Sequence, residues 1–393
     1  MSNVLNVMAF ACLVTSLFTR SVDPIIPRIA SSLAIDTSTA ALLSTAFAIP
    51  YALVQPILGA AADMFGKTRL MTWSLVILTL AGFTCAISTN FPMLLASRVV
   101  AGIASGGVFP VAVAITGDLV SVDRRQLAIG RLLAAAMIGN LLGASAAGLI
   151  GDLISWRGVF FACGLIGSIA LLTALYSFRG AKSAIVGMAR FDLSAIALNY
   201  REIFSNPLAK ICFGSIFLAG SSIFGVFPYM ATLLQTQGEV RSSIAGVVLA
   251  GFGIGALLYT FMIPILLERI GERRLMIGGG AVMALGLIVV ALRMPWPAEF
   301  VNFLMLGFGF FMLNGCILVY VSELAPKARA SAVSLHSASF FLGQGVGPVL
   351  YGAGFLYIGI VPSLAFGAAA LIGIGFVCAC FLRREPQEIT LPC

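Results

Sequence analysis

Charged side chains are scarce in this chain, since Asp, Glu, Lys and Arg together make up 10% of its 393 residues. An ordinary soluble domain carries about 25% of these residues. Because 60% of the residues are hydrophobic, most of the chain cannot face water. The composition therefore indicates a membrane protein. Its 42 Gly and 29 Phe residues are typical of closely packed membrane helices.

Signatures of nucleotide and metal chemistry are also missing. No Gly-x-x-x-x-Gly-Lys-Ser/Thr loop occurs, which excludes ATP bound in a P-loop of this chain as the energy source. The eight Cys show neither metal-ligand nor disulfide spacing, so we expect no metal and no cofactor. The one histidine, His336, has the side chain of a proton carrier, but packing inside a helix bundle accounts for it equally well.

Apolar runs of about 20 residues, which is the length that crosses a hydrocarbon core of about 30 Å, recur along the whole chain. They predict spans near 4–27, 38–62, 70–89, 92–118, 128–150, 157–177, 208–232, 243–266, 275–292, 299–321, 330–352 and 362–382. The first run lacks a positively charged leader and contains Arg20 and Asp23. We therefore expect it to remain in the mature protein.

The two halves of the chain are similar at a constant offset of 205 residues. The offset aligns Asp63 with Glu268, Gly66 with Gly271, Gly102 with Gly307, Asp118 with Glu323 and Arg124 with Arg329. Six spans per half make the repeat parallel, with its axis along the membrane normal. We predict an all-α membrane protein with twelve transmembrane helices in two six-helix pseudo-repeats, 1–177 and 208–393. The cytoplasmic connector 178–207 should contain a short interfacial helix over 191–204.

Basic residues predict the orientation. With the N-terminus inside, 17 of the 23 Lys and Arg residues fall on inner loops, and four fall on the outer side: Arg28, Arg157, Arg241 and Arg293. Because basic residues concentrate on the cytoplasmic side, both termini should be cytoplasmic. The net charge of +8 then reflects topology and contact with anionic membrane lipids, and no nucleic-acid partner is expected.

The loop after the second span carries the most specific motif, Gly59-Ala-Ala-Ala-Asp63-Met-Phe-Gly66-Lys67-Thr-Arg69. It resembles the signature loop of the major facilitator superfamily. In that family the loop's Asp, the basic residue four positions later and an acid at the end of the fourth helix form a charge relay that locks the outward-open state. The resemblance implies gating roles for Asp63, Lys67 and Asp118, with Gly59, Gly66 and Arg69 in the same loop. The alternative is that these charges reflect only the general enrichment of basic residues in cytoplasmic loops.

The fourth span contains Arg98, in the motif Arg98-Val-Val-Ala-Gly102-Ile-Ala-Ser-Gly106. This resembles the superfamily's second motif, whose Arg is linked to proton transfer in drug antiporters, although Ala101 replaces a residue that is often polar. An Arg in hydrocarbon is costly unless it faces a cavity or a partner. The alternative is an anchor that snorkels to the outer interface.

A third motif matches only in part. The fifth helix of the drug antiporters carries Gly-x-x-x-Gly-Pro-x-x-Gly-Gly, whereas this chain has Gly139-Asn-Leu-Leu-Gly143-Ala144-Ser-Ala-Ala-Gly148 and lacks the proline. Gly343-Gln-Gly-Val-Gly347-Pro348 occurs near the equivalent position of the second half. The departure leaves the direction of transport open.

Arg20 and Asp23 stand three residues apart in the first span, on one helix face. Burial raises the proton affinity of an acid and a neighbouring Arg lowers it. Membrane-embedded acids of the first helix serve as proton sites in some drug antiporters, so the resemblance implies Asp23 as the coupling group. Arg20 is then its counter-ion or an anion-binding group. A permanent structural pair is the alternative.

Uncharged polar residues interrupt several otherwise apolar helices. A few polar groups in an apolar pocket fix a substrate's orientation, whereas hydrogen bonding between helices is the alternative for each of them. The candidates for substrate binding are Tyr51, Gln55, Asn140, Tyr229, Tyr259, Asn314 and Gln344.

The resemblance to drug:proton antiporters with twelve helices covers nearly the whole chain. It implies a monomeric secondary active transporter, without enzymatic activity, that moves a small solute by alternating access in exchange for protons. Uptake of a metabolite or organic anion, by symport or as a facilitator, is a second possibility. An intramembrane enzyme using a Ser and His336 is a remote third. Short loops and termini predict a bacterial inner membrane.

Overall fold

The computed structural model of the chain describes residues 2–179, 193–325 and 328–382, with the backbone alone at 2, 3, 58–65, 122, 123, 126, 179, 193–197, 199 and 330. Within these ranges the chain forms sixteen α-helices and a short 3-10 helix at Asp23–Ile25. The first half contains α1 (Ser2–Arg20), α2 (Ile26–Leu33), α3 (Thr37–Phe65), α4 (Lys67–Ala86), α5 (Phe91–Gly106), α6 (Val108–Leu119), α7 (Val122–Leu153) and α8 (Trp156–Arg179). The rest comprises α9 (Leu193–Ser205), α10 (Pro207–Phe224), α11 (Phe227–Gln235), α12 (Ser242–Ile270), α13 (Glu272–Ala291), α14 (Trp296–Glu323), α15 (Arg329–Tyr357) and α16 (Ile360–Phe381).

These helices make twelve membrane crossings, because α1 with α2, α5 with α6, and α10 with α11 each form one interrupted span. Among the described residues, eleven crossings are long and apolar enough to be recognised by length and composition. The remaining one, α15, is also 29 residues long, or about 43 Å at 1.5 Å per residue. It contains four Ser residues, His336 and Gln344, and these polar residues lower its hydropathy. The predicted twelve-helix fold is confirmed.

Local sequence explains where several helices begin. The side chains of Asp36, Asn90 and Asn206 accept hydrogen bonds from the first-turn N–H groups of α3, α5 and α10, as N-caps do. The predicted connector helix is present as α9, and Phe191 lies outside the described residues. The boundaries at 177 and 208 remain predictions.

The sequence repeat is also a repeat of packing. A Cβ at Gly102 would overlap the carbonyl oxygen of Phe47, and a Cβ at Gly307 would overlap that of Phe252, which are the same two positions shifted by 205. Gly66 and Gly271, another matched pair, both have positive φ, at 87° and 79°. The two halves therefore use the same close helix approaches and the same turn.

The halves meet along two long helix pairs, α3 with α15 and α7 with α12. We call the end of the bundle at which α1 begins and α16 ends the terminal face, and the opposite end the distal face. The first spans of the two halves, α1 and α10 with their continuations, lie between these pairs and contact the partner half. This arrangement places side chains of α1, α3, α10 and α15 at the centre.

Candidate transport site

Both halves interrupt their first span at the same point of the repeat. α1 ends at Arg20 and α10 ends at Phe224, and the offset of 205 aligns Arg20 with Gly225, the next residue. Pro24 and Pro228 lack an N–H, so neither can donate to the carbonyl four residues earlier. Discontinuous helices at corresponding positions of repeated halves point to substrate sites in transporters.

Asp23 lies at the break in the first half and is 1% exposed. Its Oδ1 accepts a hydrogen bond from Oγ of Ser44 on α3 at 2.7 Å, and its Oδ2 lies 3.5 Å from Nη1 of Arg20. A carboxylate in these contacts would lose its attraction for the guanidinium when it takes up a proton. The structure thus brings the predicted pair together, and its coupling role remains a prediction.

Arg20 reaches across the interface into the second half. Its Nη2 donates to Oε1 of Gln344 at 3.2 Å, and its Cζ lies 4.3 Å and 4.8 Å from the ring centres of Phe224 and Phe227. Desolvated contacts of this kind contribute about 2 kcal/mol each. Arg20 is therefore the link between Asp23 and the opposite half.

Arg98 on α5 is completely buried. Its Nε donates to the carbonyl of Leu43 at 3.2 Å and its Nη1 donates to that of Phe18 at 3.1 Å, while its Cζ lies 4.5 Å from the ring centre of Phe47. Its Nη2 has no partner within the described part of the chain. Because Arg98 is 0% exposed, it does not snorkel to the distal surface. It places a second buried positive charge against the backbones of α1 and α3.

Aromatic rings surround the tip of Arg20 and continue between the halves. Tyr51 of α3 lies 4.0 Å from Phe341 of α15 between ring centres. From Phe341 the contacts run through neighbouring rings less than 6 Å apart, namely Phe340, Phe224, Phe227, Phe252, Phe303 and Phe310. A solute passing this level would meet apolar walls and a few polar groups, as is usual for ligand sites.

Four further polar groups lie nearer the terminal face. Gln55 Oε1, Tyr259 OH, Asn314 Oδ1 and His336 Nε2 are buried without a hydrogen-bond partner among the described residues. They stand 7 to 11 residues from the terminal ends of their helices, or about 10–17 Å at 1.5 Å per residue. A buried polar atom left unpaired costs about 1–3 kcal/mol. These groups are accordingly the best-placed candidates for hydrogen bonding to a solute.

The seven predicted substrate residues do not form one cluster. Gln344 accepts from Arg20 and Tyr51 packs on Phe341, whereas the OH of Tyr229 donates to the carbonyl of Pro348 at 2.8 Å within the second half. Asn140 is half-buried on α7. This hydrogen bond already accounts for a hydroxyl in an apolar span, so the substrate role of Tyr229 rests on the sequence prediction alone.

The predicted gating loop lies on the terminal face. Nζ of Lys67, at the start of α4, is 2.7 Å from Oδ2 of Asp118 at the end of α6. Gly66 takes φ 87°, a conformation that favours glycine, and Arg69 is exposed. Two further predicted residues of this loop, Gly59 and Asp63, lie where only the backbone is described. The Lys67–Asp118 pair of the expected relay is therefore present among the described side chains.

A sequence profile of the Major Facilitator Superfamily matches residues 8–266 and 212–392. The chain belongs to the Major Facilitator Superfamily. It is a secondary transporter, with transmembrane helices in the arrangement described above.

Named relatives of this superfamily member include a quinolone resistance protein and an MFS-type transporter. It is 24% identical over 367 residues to the quinolone resistance protein NorA of Staphylococcus aureus (strain COL), covering 89% of this chain and 91% of the relative. It is 26% identical over 384 residues to the MFS-type transporter YtbD of Bacillus subtilis (strain 168), covering 95% and 94%.

Solved structures show the same fold. A nucleoside transporter, NupG, superposes with a TM-score of 0.79 at 15% identity, covering 97% of this chain and all of that one. A D-xylose-proton symporter superposes with a TM-score of 0.70 at 17% identity, with 97% of each chain covered. At these identities the likeness establishes the superfamily fold and not the solute.

Three contact residues of this transporter were missed from the sequence. Ser44 is one of two Ser residues in α3, and Phe224 and Phe227 are two of 29 Phe residues. The sequence offered one indication of Phe224 and Phe227: they flank Gly225, which the repeat aligns with Arg20. Arg28 was counted as an outer-loop basic residue, although it contacts Asp152.

Proposed function

We propose that this transporter exports a small organic solute in exchange for protons, with Asp23 as the proton-binding residue. The observation that carries the proposal is the chain of contacts from Ser44 through Asp23 to Arg20, and from Arg20 to Gln344 in the opposite half. The similarity to a relative named for quinolone resistance supports export.

The contacts suggest how a proton acts on the halves. With Asp23 ionised, Arg20 is held between its acid and the rings of Phe224 and Phe227. Protonation of Asp23 removes the attraction on one side, so Arg20 can change its contacts with the second half. Since a ligand shifts a conformational equilibrium only through different contacts in its two states, this pair is where proton binding and rocking of the halves can be linked.

Proteoliposomes under an imposed pH gradient test the proposal. Solute and proton fluxes should be measured together for wild type, Asp23→Asn and Glu299→Gln, with cationic drugs, sugars and organic acids as solutes. Glu299 is the matched control, because it is 0% exposed and its carboxylate accepts a hydrogen bond from Asn302 on the same helix. Glu299→Gln thus neutralises an equally buried acid that lies away from Arg20.

Opposite movement of solute and protons, lost in Asp23→Asn and retained in Glu299→Gln, supports the proposal. Solute flux that ignores the gradient and persists unchanged in Asp23→Asn overturns it and identifies a facilitator. Loss of coupled flux in both variants would exclude Asp23 as the specific coupling residue.

A second candidate is movement of an organic anion together with protons. Two buried guanidinium groups, Arg20 and Arg98, lie in this region with one buried carboxylate, Asp23, which pairs with Arg20. Protonation of Asp23 would leave two uncompensated positive charges, which favours an anion bound at the same time as the proton. In the experiment above, this candidate predicts that an organic acid and protons move in the same direction.

We further propose that the terminal face is cytoplasmic, in a bacterial inner membrane, because 17 of the 23 basic residues belong to its loops. Labelling of cysteines introduced at Thr89 and Arg273 in intact cells tests this orientation. An impermeant maleimide should label position 89, on the distal face, and not position 273. The reverse pattern would overturn the assignment.

A further inference from the structure

The distal ends of the two halves are joined through one carboxylate. Asp152, at the end of α7, accepts hydrogen bonds from the backbone N–H groups of Ser242 and Ser243, both at 2.8 Å. Arg28 donates to the same carboxylate at 2.5 Å and to Oγ of Ser242 at 2.9 Å. We call Arg28, Asp152, Ser242 and Ser243 the distal clamp. Its first two members belong to the first half and its last two belong to the second.

Asp152 serves as the N-cap of a helix in the other half. The first N–H groups of a helix have no partner within it and need a side-chain acceptor. α12 begins at Ser242, and the preceding residue, Arg241, makes no capping hydrogen bond. In contrast, α3, α5 and α10 are capped by the residue that precedes each of them. The acceptor for α12 is therefore supplied across the interface.

The helices on either side of the clamp are in backbone contact. A Cβ at Gly148 of α7 would overlap the carbonyl of Ser242, and a Cβ at Gly246 of α12 would overlap that of Ala144. The cap can form only while the backbones are this close. Separation of α7 from α12 at the distal face thus removes both N–H partners of Asp152 in one movement.

We propose that Asp152 is a gating residue of the transport cycle, which holds the distal face closed by capping α12 from the opposite half. The attraction of a carboxylate for the positive end of a helix dipole adds to its two hydrogen bonds. The closed state gains these interactions and the distal-open state loses them, as a two-state switch requires. The proposal holds for export, uptake or facilitation, so it does not depend on Asp23 as a proton site.

Pulsed electron spin resonance between the distal loops tests the proposal. Spin labels at Thr89 in the first half and Met294 in the second would be attached after Cys380 and Cys393 are replaced by Ser. Both labelled positions are exposed. The measured quantity is the ratio of distal-closed to distal-open distances.

The main variants are Asp152→Ala, Asp152→Asn and Arg28→Ala. Removal of an N-cap destabilises the start of a helix, so Asp152→Ala should lower the closed-to-open ratio about tenfold. Asn still accepts from N–H groups, so Asp152→Asn should have a smaller effect. Arg28→Ala leaves both backbone hydrogen bonds of Asp152 in place, and its effect should also be smaller.

Ser243→Pro removes one capped N–H without touching the acid. Proline is tolerated in the first turn of a helix, and this chain places Pro92, Pro228 and Pro297 at the second position of α5, α11 and α14. The variant should therefore fold and should lower the ratio in the same direction as Asp152→Ala.

Asp36→Ala is the matched control. Asp36 also lies on the distal face and caps a helix, and donation by the hydroxyl and backbone N–H of Thr39 lowers the pKa of its carboxyl. Its cap lies within one half, so Asp36→Ala should leave the closed-to-open ratio unchanged. A ratio that stays at the wild-type value in both Asp152→Ala and Ser243→Pro overturns the proposal, as does an equal decrease in Asp36→Ala.

Discussion

Replacement of Arg98 by methionine should destabilise the folded transporter, because Arg98 joins three helices. From α5 it donates to the carbonyl of Phe18 near the end of α1 and to the carbonyl of Leu43 on α3. Its guanidinium also lies over the ring of Phe47. Methionine fills a similar volume but leaves both carbonyls without this donor.

The contacts set the size of the effect. Two hydrogen bonds from a charged donor contribute about 1.5–3 kcal/mol each, and a desolvated cation–π contact adds about 2 kcal/mol. The sum, about 5–8 kcal/mol, is opposed by about 3 kcal/mol for placing an Arg in a membrane span. We therefore expect Arg98→Met to lower the free energy of unfolding by about 2–5 kcal/mol.

Unfolding in mixed detergent, with increasing SDS and followed by Trp fluorescence, measures this difference. Arg157→Met is the control. Arg157 has similar contacts, since it donates to the carbonyl of Ser88 at 3.1 Å and lies 4.1 Å from the ring centre of Trp156, but it is only half-buried. Its replacement should change the free energy by less than about 1 kcal/mol. An Arg98→Met protein as stable as wild type would refute this reasoning, because the free-energy cost of burying the charge would then equal the stabilisation from its contacts.

Two further predictions concern the terminal face. Gly66→Ala should destabilise the protein by roughly 1–2 kcal/mol, because its φ of 87° strains any residue with a Cβ. No atom lies within 4 Å of the added carbon there. A Cβ at Gly130, in the first third of α7, also meets open space. Gly130→Ala should therefore not destabilise the protein in the same unfolding assay, and equal effects of the two substitutions would refute the backbone argument. The Lys67–Asp118 pair predicts that Lys67→Asp or Asp118→Lys alone slows solute flux, by up to about fivefold for a partly exposed pair. The double variant with both changes should recover part of the rate, and a double variant slower than either single one would contradict the pairing.

The number of crossings and the repeat were predictable from the sequence, because each is a property of long stretches of chain. Hydropathy averaged over about 20 residues is insensitive to any one side chain, and an offset of 205 is tested at many positions at once. The one crossing of lower hydropathy, α15, was still predicted near 330–352. The first span was predicted as one run near 4–27, whereas the helix ends at Arg20 and the crossing continues in α2.

Ion pairs between residues close in sequence were also predictable. Arg20 and Asp23 are three residues apart, and helix geometry alone places them on one face. The Lys67–Asp118 ion pair followed from resemblance to a family motif and not from spacing, since 51 residues separate its members.

Contacts between the halves were decided only by the tertiary structure. Arg20 and Gln344 are 324 residues apart, and the partners of Asp152 in α12 are 90 and 91 residues away. Hydrophobic periodicity is weak in helices that are apolar on all sides, so the sequence does not show which face of α7 meets α12. The rotation of each helix is set by close approach of glycines and by packing of rings against their neighbours. Those contacts brought a carboxylate from one half to the first turn of a helix in the other.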